Sequence, residues 1–137
     1  MQTKVYLSAY DFTVCLLAAL SRQGQRSLVS PWSDTQHVTS RCAAKVFDWL
    51  EETQEGIFDF RFHLSAHKYA AEGWVVALRQ CENFKHLTRR VNSNYVYYEL
   101  NDANLQRSAM RISSFEQIWD AAASIYLQAH TVLIASL

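Results

Sequence analysis

The clearest pattern of apolar and polar positions lies between residues 57 and 65. Phe58, Phe60, Phe62 and Leu64 alternate there with polar or charged side chains. Successive side chains of a β-strand point to opposite faces of the sheet. The pattern therefore predicts a strand over Ile57–Ser65, with one face in the core and the other in solvent.

A second strand signal lies on either side of a polar turn. Tyr95–Leu100 is rich in aromatic and β-branched residues, which favour strands. The three residues before it, Asn92 to Asn94, are typical of a turn. Leu87–Val91 is therefore predicted as the antiparallel hairpin partner of Tyr95–Leu100.

Three shorter segments complete the predicted sheet. Lys4–Leu7 is predicted as a short edge strand, and Met110–Ser113 is a candidate for one more strand. Trp74–Leu78 is apolar without alternation, which is typical of a strand that is covered on both faces. The same residues also fit a helix over 69–87 with Gly73 inside it, but the strand is the preferred interpretation.

Capping residues predict the helices. The first helix begins at Ser8, where Asp11 completes a capping box, and it ends at Gly24. Residues 25–34 have the character of a loop. A second helix follows, capped by Asp34 or by Ser33 with Gln36, and it ends before Gly56. The last helix begins near residue 113 and runs almost to residue 137, with an apolar stripe at helical spacing.

These elements predict an α+β fold. The sheet is expected to be mainly antiparallel, with about four strands in a meander, packed with two N-terminal helices and one long C-terminal helix. The chain has three glycines and one proline, and it shows no linker, repeat or low-complexity segment. Residues 1–137 are therefore predicted to form a single globular domain.

Composition limits the classes of function. Thirteen basic residues balance thirteen acidic ones, so the whole chain has no net charge that would attract nucleic acid or an anionic membrane. The three cysteines are widely spaced, which indicates neither a disulfide framework nor a zinc ribbon. Residues 1–10 lack the features of a signal peptide, and the apolar stretches are too short or too polar for a membrane span. We expect a cytoplasmic protein.

No catalytic residue, metal ligand or cofactor is predicted. His63, His67, Cys81 and His86 have some metal-ligating character, but their spacing matches no established zinc pattern. The glycines stand too far apart for a phosphate-binding loop. An enzyme would need a deep pocket that holds at least two of these four residues.

A basic and aromatic stretch over residues 79–98 gives the alternative hypothesis of a nucleic-acid-binding protein. Phosphates need cations, and unpaired bases stack on aromatic rings. This hypothesis predicts that Lys85, Arg89 and Arg90 share one face, close to the tyrosines that follow them.

The leading hypothesis is a small binding protein, either an adaptor or an inhibitor of the kind seen among immunity or anti-defence proteins, that occupies another protein. It rests on an apparent surplus of aromatic and apolar side chains, which mark contact sites when they are exposed. The predicted partner-binding residues are Trp74, Lys85, Arg89, Arg90, Tyr95 and Tyr97. The last helix offers Tyr126, Leu127 and Ile134 as a homodimer interface.

Overall fold

A computed structural model of the chain describes residues 3–32, 37–64 and 71–135. Five helices and two small sheets are found in these residues. The elements in chain order are β1 Val5–Leu7, α1 Ala9–Arg22, β2 Ser27–Pro31, α2 Val38–Thr53, β3 Phe58–Phe60, α3 Ala71–Asn83, β4 Leu87–Val91, β5 Tyr95–Leu100, α4 Asp102–Ile112 and α5 Glu116–Ala135. The mixed α+β class is therefore confirmed.

Helix α1 lies at the centre of the molecule. Every side chain from Phe12 to Leu20 is buried, and the helix packs against α3, α4 and α5. Its start is the predicted one, because the Ser8 hydroxyl accepts the N–H of Asp11 and the Asp11 carboxylate accepts the N–H of Ser8. A helix that is apolar all round needs neighbours on every side, and the other helices supply them.

Aromatic rings fill much of the core around α1. The Phe12 ring lies 5.9 Å from Trp119 of α5 and 6.4 Å from Phe47 of α2, measured between ring centroids. Phe58 of β3 lies 5.6 Å from the same tryptophan. The alternating phenylalanines of the sequence thus join α1, α2 and α5, and they account for the inward face that the pattern predicts.

The sheet arrangement differs from the predicted meander. Strands β2, β5 and β4 form an antiparallel sheet in that order, while β1 pairs with β3 in parallel. The loop predicted over 25–34 contains β2, and the strand predicted over Ile57–Ser65 is short, with β3 ending at Phe60. The predicted hairpin of β4 and β5 is confirmed.

Two predicted strands are helical, so the arrangement of two N-terminal helices and one C-terminal helix is also incomplete. Trp74–Leu78 lies within α3, and residues 110–112 form the end of α4. Trp74, Ala77, Leu78 and Cys81 are buried, which is the i, i+3, i+4, i+7 spacing of a helix. The capping residues predicted at 33–36, like Ser65, lie outside the described residues, and the described part of α2 begins after His37.

The five described helices are 11 to 20 residues long. None of them combines the length and the apolar character needed to cross a membrane. Helix α5 comes nearest to the required length, with 20 residues. It packs against α1 and α2 and contributes to the protein core.

Candidate binding face on the three-stranded sheet

The β4–β5 hairpin is held by its asparagine turn. The Asn92 side-chain oxygen accepts the N–H groups of Asn94 and Tyr95, at 2.8 and 2.7 Å. The N–H of Trp32, just after β2, donates to the carbonyl of Asn94 at 2.8 Å. The turn thus fixes the start of β5 and brings an exposed tryptophan beside it.

The register of the strands sorts their side chains into two faces. Arg90 pairs with Tyr97, which pairs with Val29 of β2. Arg89 pairs with Tyr98, which pairs with Leu28. Directly opposed residues on neighbouring strands share a face, and successive residues alternate. Arg89 and Arg90 therefore lie on opposite faces of the sheet.

The face with Leu28 is the inner one. Leu28, Leu87 and Val96 are buried on it, and β2 and β4 contact α2 and α3. We call the opposite face the outer face; it consists of Thr88 and Arg90 on β4, Tyr95, Tyr97 and Glu99 on β5, and Ser27, Val29 and Pro31 on β2. None of these eight side chains is classed as buried.

Two tyrosines dominate the outer face. The rings of Tyr95 and Tyr97 lie 6.1 Å apart, and Tyr95 is 42% exposed. Beside them, Arg90 Nε lies 2.9 Å from the Glu99 carboxylate across the two strands. Trp32, which is 55% exposed, follows β2 next to the hairpin turn. The outer face is therefore aromatic and carries a self-neutralised ion pair.

Trp74 does not belong to this surface. Its side chain is 1% exposed, and its indole N–H donates to the Thr39 hydroxyl at 3.3 Å. The expectation of an exposed ring at this position is wrong, because α3 turns Trp74 toward α2. The expectation of exposure rested on an apparent surplus of aromatic side chains, whereas the helical geometry of α3 gives Trp74 an inward position.

The other predicted contact residues have mixed placements. Lys85 is exposed in the tight turn before β4, with a left-handed backbone at φ 65°, and its carbonyl accepts the Asn101 side-chain amide at 3.1 Å. The side chains of Arg89 and Arg90 lie on opposite faces of the sheet, so Lys85, Arg89 and Arg90 do not share one face. Tyr97 and Tyr95 do lie together, as the alternation of β5 predicts.

The predicted homodimer residues on α5 also separate. Tyr126 is 1% exposed and lies 6.4 Å from the Trp74 ring, so it belongs to the core. Burial raises the pKa of its hydroxyl well above the ordinary value. Leu127 packs partly buried against the core, whereas Ile134 is 39% exposed. Of the three, Ile134 offers the most surface to another molecule.

A buried polar network elsewhere was not predicted from the sequence. His86 is 3% exposed; its Nε2 lies 2.5 Å from the Tyr10 hydroxyl, and its Nδ1 contacts the Asn104 side-chain oxygen. Burial is the main cause of the raised pKa of Tyr10. The hydrogen bond joins residues 76 positions apart, and no local pattern carries that information.

The histidine and cysteine candidates do not form a metal site in the part of the chain that the structure describes. Among those residues, no group of three His, Cys, Asp or Glu side chains is placed to hold a metal ion. His63 is exposed while Cys81 and His86 are buried, and His67 lies outside the described residues. Burial raises the pKa of Cys81 to about 12, which suppresses the thiolate needed for nucleophilic chemistry.

The chain matches no protein-family model, and its comparison with curated proteins and with solved structures gives no significant match. The outer face brings the rings of Tyr95 and Tyr97 together on a surface where none of the side chains is buried.

Proposed function

We propose that the protein is a small cytoplasmic binding module, an adaptor or inhibitor, that occupies a partner protein through the outer face of the three-stranded sheet. The observation that carries the proposal is the pair of tyrosine rings, Tyr95 and Tyr97, side by side on that face. Tyrosine combines a large apolar body with a polar tip and few rotatable bonds, so it is enriched at protein interfaces.

Charge on the outer face favours a protein as the partner. Arg90 and Glu99 form an ion pair there, so the face carries no net charge beyond this pair. A phosphate backbone would have to compete with Glu99 for the guanidinium group. A protein surface can instead accept the tyrosines in apolar pockets and leave the ion pair at the wet rim.

The proposed compartment is supported by the cysteines. Cys15, Cys42 and Cys81 are all buried, and none of the three forms a disulfide. Extracellular domains of this size often use their cysteines in disulfides, whereas cytosolic proteins keep them reduced. Buried cysteines that form no disulfide are compatible with the reducing environment of the cytoplasm.

The test is a comparative capture from lysate of the native host. Wild-type protein, a Tyr95→Ala/Tyr97→Ala variant and a Tyr6→Ala control are immobilised, and the retained proteins are quantified by mass spectrometry. Tyr6 is the matched control because it is 64% exposed on β1, in the other sheet. We expect a partner that wild type and control retain equally and that the double variant loses.

The captured partner is then purified and titrated against all three proteins. Removal of interface tyrosines at a contact centre weakens binding by about 2 kcal/mol or more, so we expect at least a tenfold rise in Kd, where tenfold is about 1.4 kcal/mol. Thermal unfolding of each variant confirms that it is folded. Equal affinity of the double variant and wild type would remove the outer face as the contact surface.

Nucleic-acid binding is the second candidate function, because Tyr95 and Tyr97 are also placed to stack unpaired bases beside Arg90. The position of Arg89 on the inner face of the sheet weakens this second candidate. Fluorescence anisotropy with labelled single-stranded DNA and RNA at two salt concentrations separates the two functions. Affinity that falls steeply with salt and is lost in the double tyrosine variant would favour nucleic acid; no binding at low salt removes this candidate.

A further inference from the structure

A cleft of about 210 Å³ lies between α3 and the inner face of the β4–β5 hairpin. It is on the other side of the sheet from Tyr95 and Tyr97. Its lining residues are Val75, Leu78, Arg79, Glu82, Arg89 and Tyr98. Arg79 and Glu82 come from α3, while Arg89 and Tyr98 are cross-strand partners on β4 and β5.

Among the described residues, two arginines of this cleft form no ion pair with an acidic side chain. Arg22, Arg61 and Arg90 each form an ion pair with an aspartate or glutamate. Within the described residues, neither Arg79 nor Arg89 forms such a pair, although Glu82 also lines the cleft. Because both arginines line the same cleft, an anion bound there lies beside two guanidinium groups that are not paired with a carboxylate.

The remaining walls indicate what else the ligand carries. Leu78 is 4% exposed and Val75 is 39% exposed, so they form an apolar wall next to the cations. Tyr98 is partly buried and also lines the cleft. Pockets for drug-sized ligands measure about 300–1,000 Å³, so this cleft suits a smaller molecule or a single side chain.

We propose that the cleft binds a carboxylate attached to a small apolar group. Arg79 and Arg89 hold the carboxylate through charge-assisted hydrogen bonds, and the apolar group packs on Val75 and Leu78. The lining carries two positive charges and one negative charge, from Glu82. That balance matches a monoanion better than a doubly charged phosphate. The site is independent of the proposed tyrosine interface.

The experiment titrates the full chain with phenylacetate, uncharged phenylacetamide and phenyl phosphate, followed by NMR of the arginine side chains and by calorimetry. We expect phenylacetate to bind, to shift the Arg79 and Arg89 signals and to bind more tightly than phenyl phosphate, while phenylacetamide does not bind. A short peptide with a free carboxyl terminus, compared with its amide, tests whether a protein chain can supply the same group.

Variants separate a binding role from a structural one. Loss of one charge-assisted contact at an exposed site weakens binding by about five- to tenfold, which we expect for Arg79→Ala and for Arg89→Ala. Arg107→Ala, at an exposed position of α4, is the matched control and leaves the affinity unchanged. Glu82→Gln removes the opposing charge, so it tightens phenylacetate binding by about two- to fivefold.

Each outcome decides the proposal. It is overturned if phenylacetamide binds as well as phenylacetate, if Arg79→Ala and Arg89→Ala keep wild-type affinity, or if no signal moves at about 20 mM ligand, a concentration at which affinities in the millimolar range are detected. The Tyr95→Ala/Tyr97→Ala variant is expected to bind phenylacetate normally. A result that overturns the tyrosine interface therefore does not affect the proposed carboxylate site. A result that overturns the carboxylate site likewise does not affect the tyrosine interface.

Discussion

The hydroxyl of Tyr10 lies 2.5 Å from Nε2 of His86 and joins the first turn of α1 to the segment just before β4. The other ring nitrogen, Nδ1, contacts the Asn104 side-chain oxygen, which can only accept a hydrogen bond. Nδ1 therefore carries the proton, and Nε2 accepts from Tyr10. Three segments that are distant in the chain meet at one imidazole.

Tyr10→Phe is expected to destabilise the fold. The substitution keeps the ring but removes the donor to His86, whose side chain is 3% exposed, so a buried acceptor loses its partner. Such a loss costs about 1–3 kcal/mol. Urea unfolding measures it, with Tyr6→Phe as the control because that side chain is 64% exposed. Equal unfolding midpoints for the two variants would show that the bond contributes nothing.

Arg22 is expected to stabilise the packing of three helices. It lies at the end of α1 and donates to the Asp120 carboxylate of α5 at 2.9 and 3.1 Å, and to the Gln106 side chain of α4 at 2.9 Å. Its side chain is 23% exposed, which reduces the competition from water. Removing these charged hydrogen bonds in Arg22→Ala lowers the free energy of unfolding by about 1–3 kcal/mol.

Chemical denaturation of Arg22→Ala measures that loss against Arg107→Ala, which changes an exposed arginine on α4. A surface substitution of this kind stays within about 0.5 kcal/mol of wild type. Asp120→Asn should fall between the two, because it keeps the geometry and removes only the charge. A loss for Arg22→Ala no larger than that of the control would contradict the proposed role.

The predictable parts of the fold are those with local signals. The capping box at Ser8 and the turn at Asn92 fix α1 and the hairpin through hydrogen bonds between near neighbours in sequence. Strand β2 has no such signal, since it ends in Pro31, which an edge strand tolerates. The Tyr10–His86 contact and the cleft between α3 and the β4–β5 hairpin depend on how distant elements pack, and a single sequence does not encode that packing in a readable pattern.

Helix α3 shows how a readable pattern can still be misinterpreted. Trp74, Val75 and Val76 form a continuous apolar run, which favoured a buried strand. In the structure Trp74 and Leu78 face the core, while Val75 and Val76 are 39% and 51% exposed. The burial of Cys81 continues the helical period and favours the alternative helix over 69–87, because a short apolar run alone does not distinguish a strand from a helix.

The three cysteines are expected to be unreactive in the native protein. Cys15, Cys42 and Cys81 are each at most 2% exposed, and burial raises the pKa of the Cys15 and Cys81 thiols. The thiolate is the form of cysteine that reacts with a disulfide reagent. Burial hinders access of the reagent, and the raised pKa lowers the fraction of thiolate, so both slow the reaction. Titration with a chromogenic disulfide reagent should detect no thiol before unfolding and three after it. A thiol that reacts rapidly in native protein would reopen the question of cysteine catalysis.

We expect Asp102 to make the stability of the fold depend on pH in the acid range. The Ser21 hydroxyl donates to its carboxylate at 2.7 Å and the Gln106 amide at 3.1 Å, and these bonds lower its pKa. A carboxyl group whose pKa is lower in the folded protein than in the unfolded chain stabilises the fold fully at pH values above its unfolded pKa, which is about 4. This stabilisation is lost as the pH falls through the pKa of the folded state. Ser21→Ala should raise the pKa of Asp102 and destabilise the protein at pH 6.

NMR titration of Asp102 and unfolding at several pH values check this prediction. Ser93→Ala, in an exposed turn, is the control. The difference in free energy of unfolding between Ser21→Ala and wild type should become smaller as the pH falls below the pKa of Asp102 in the folded protein. A difference that stays constant down to that pH would show that Ser21 acts through packing alone.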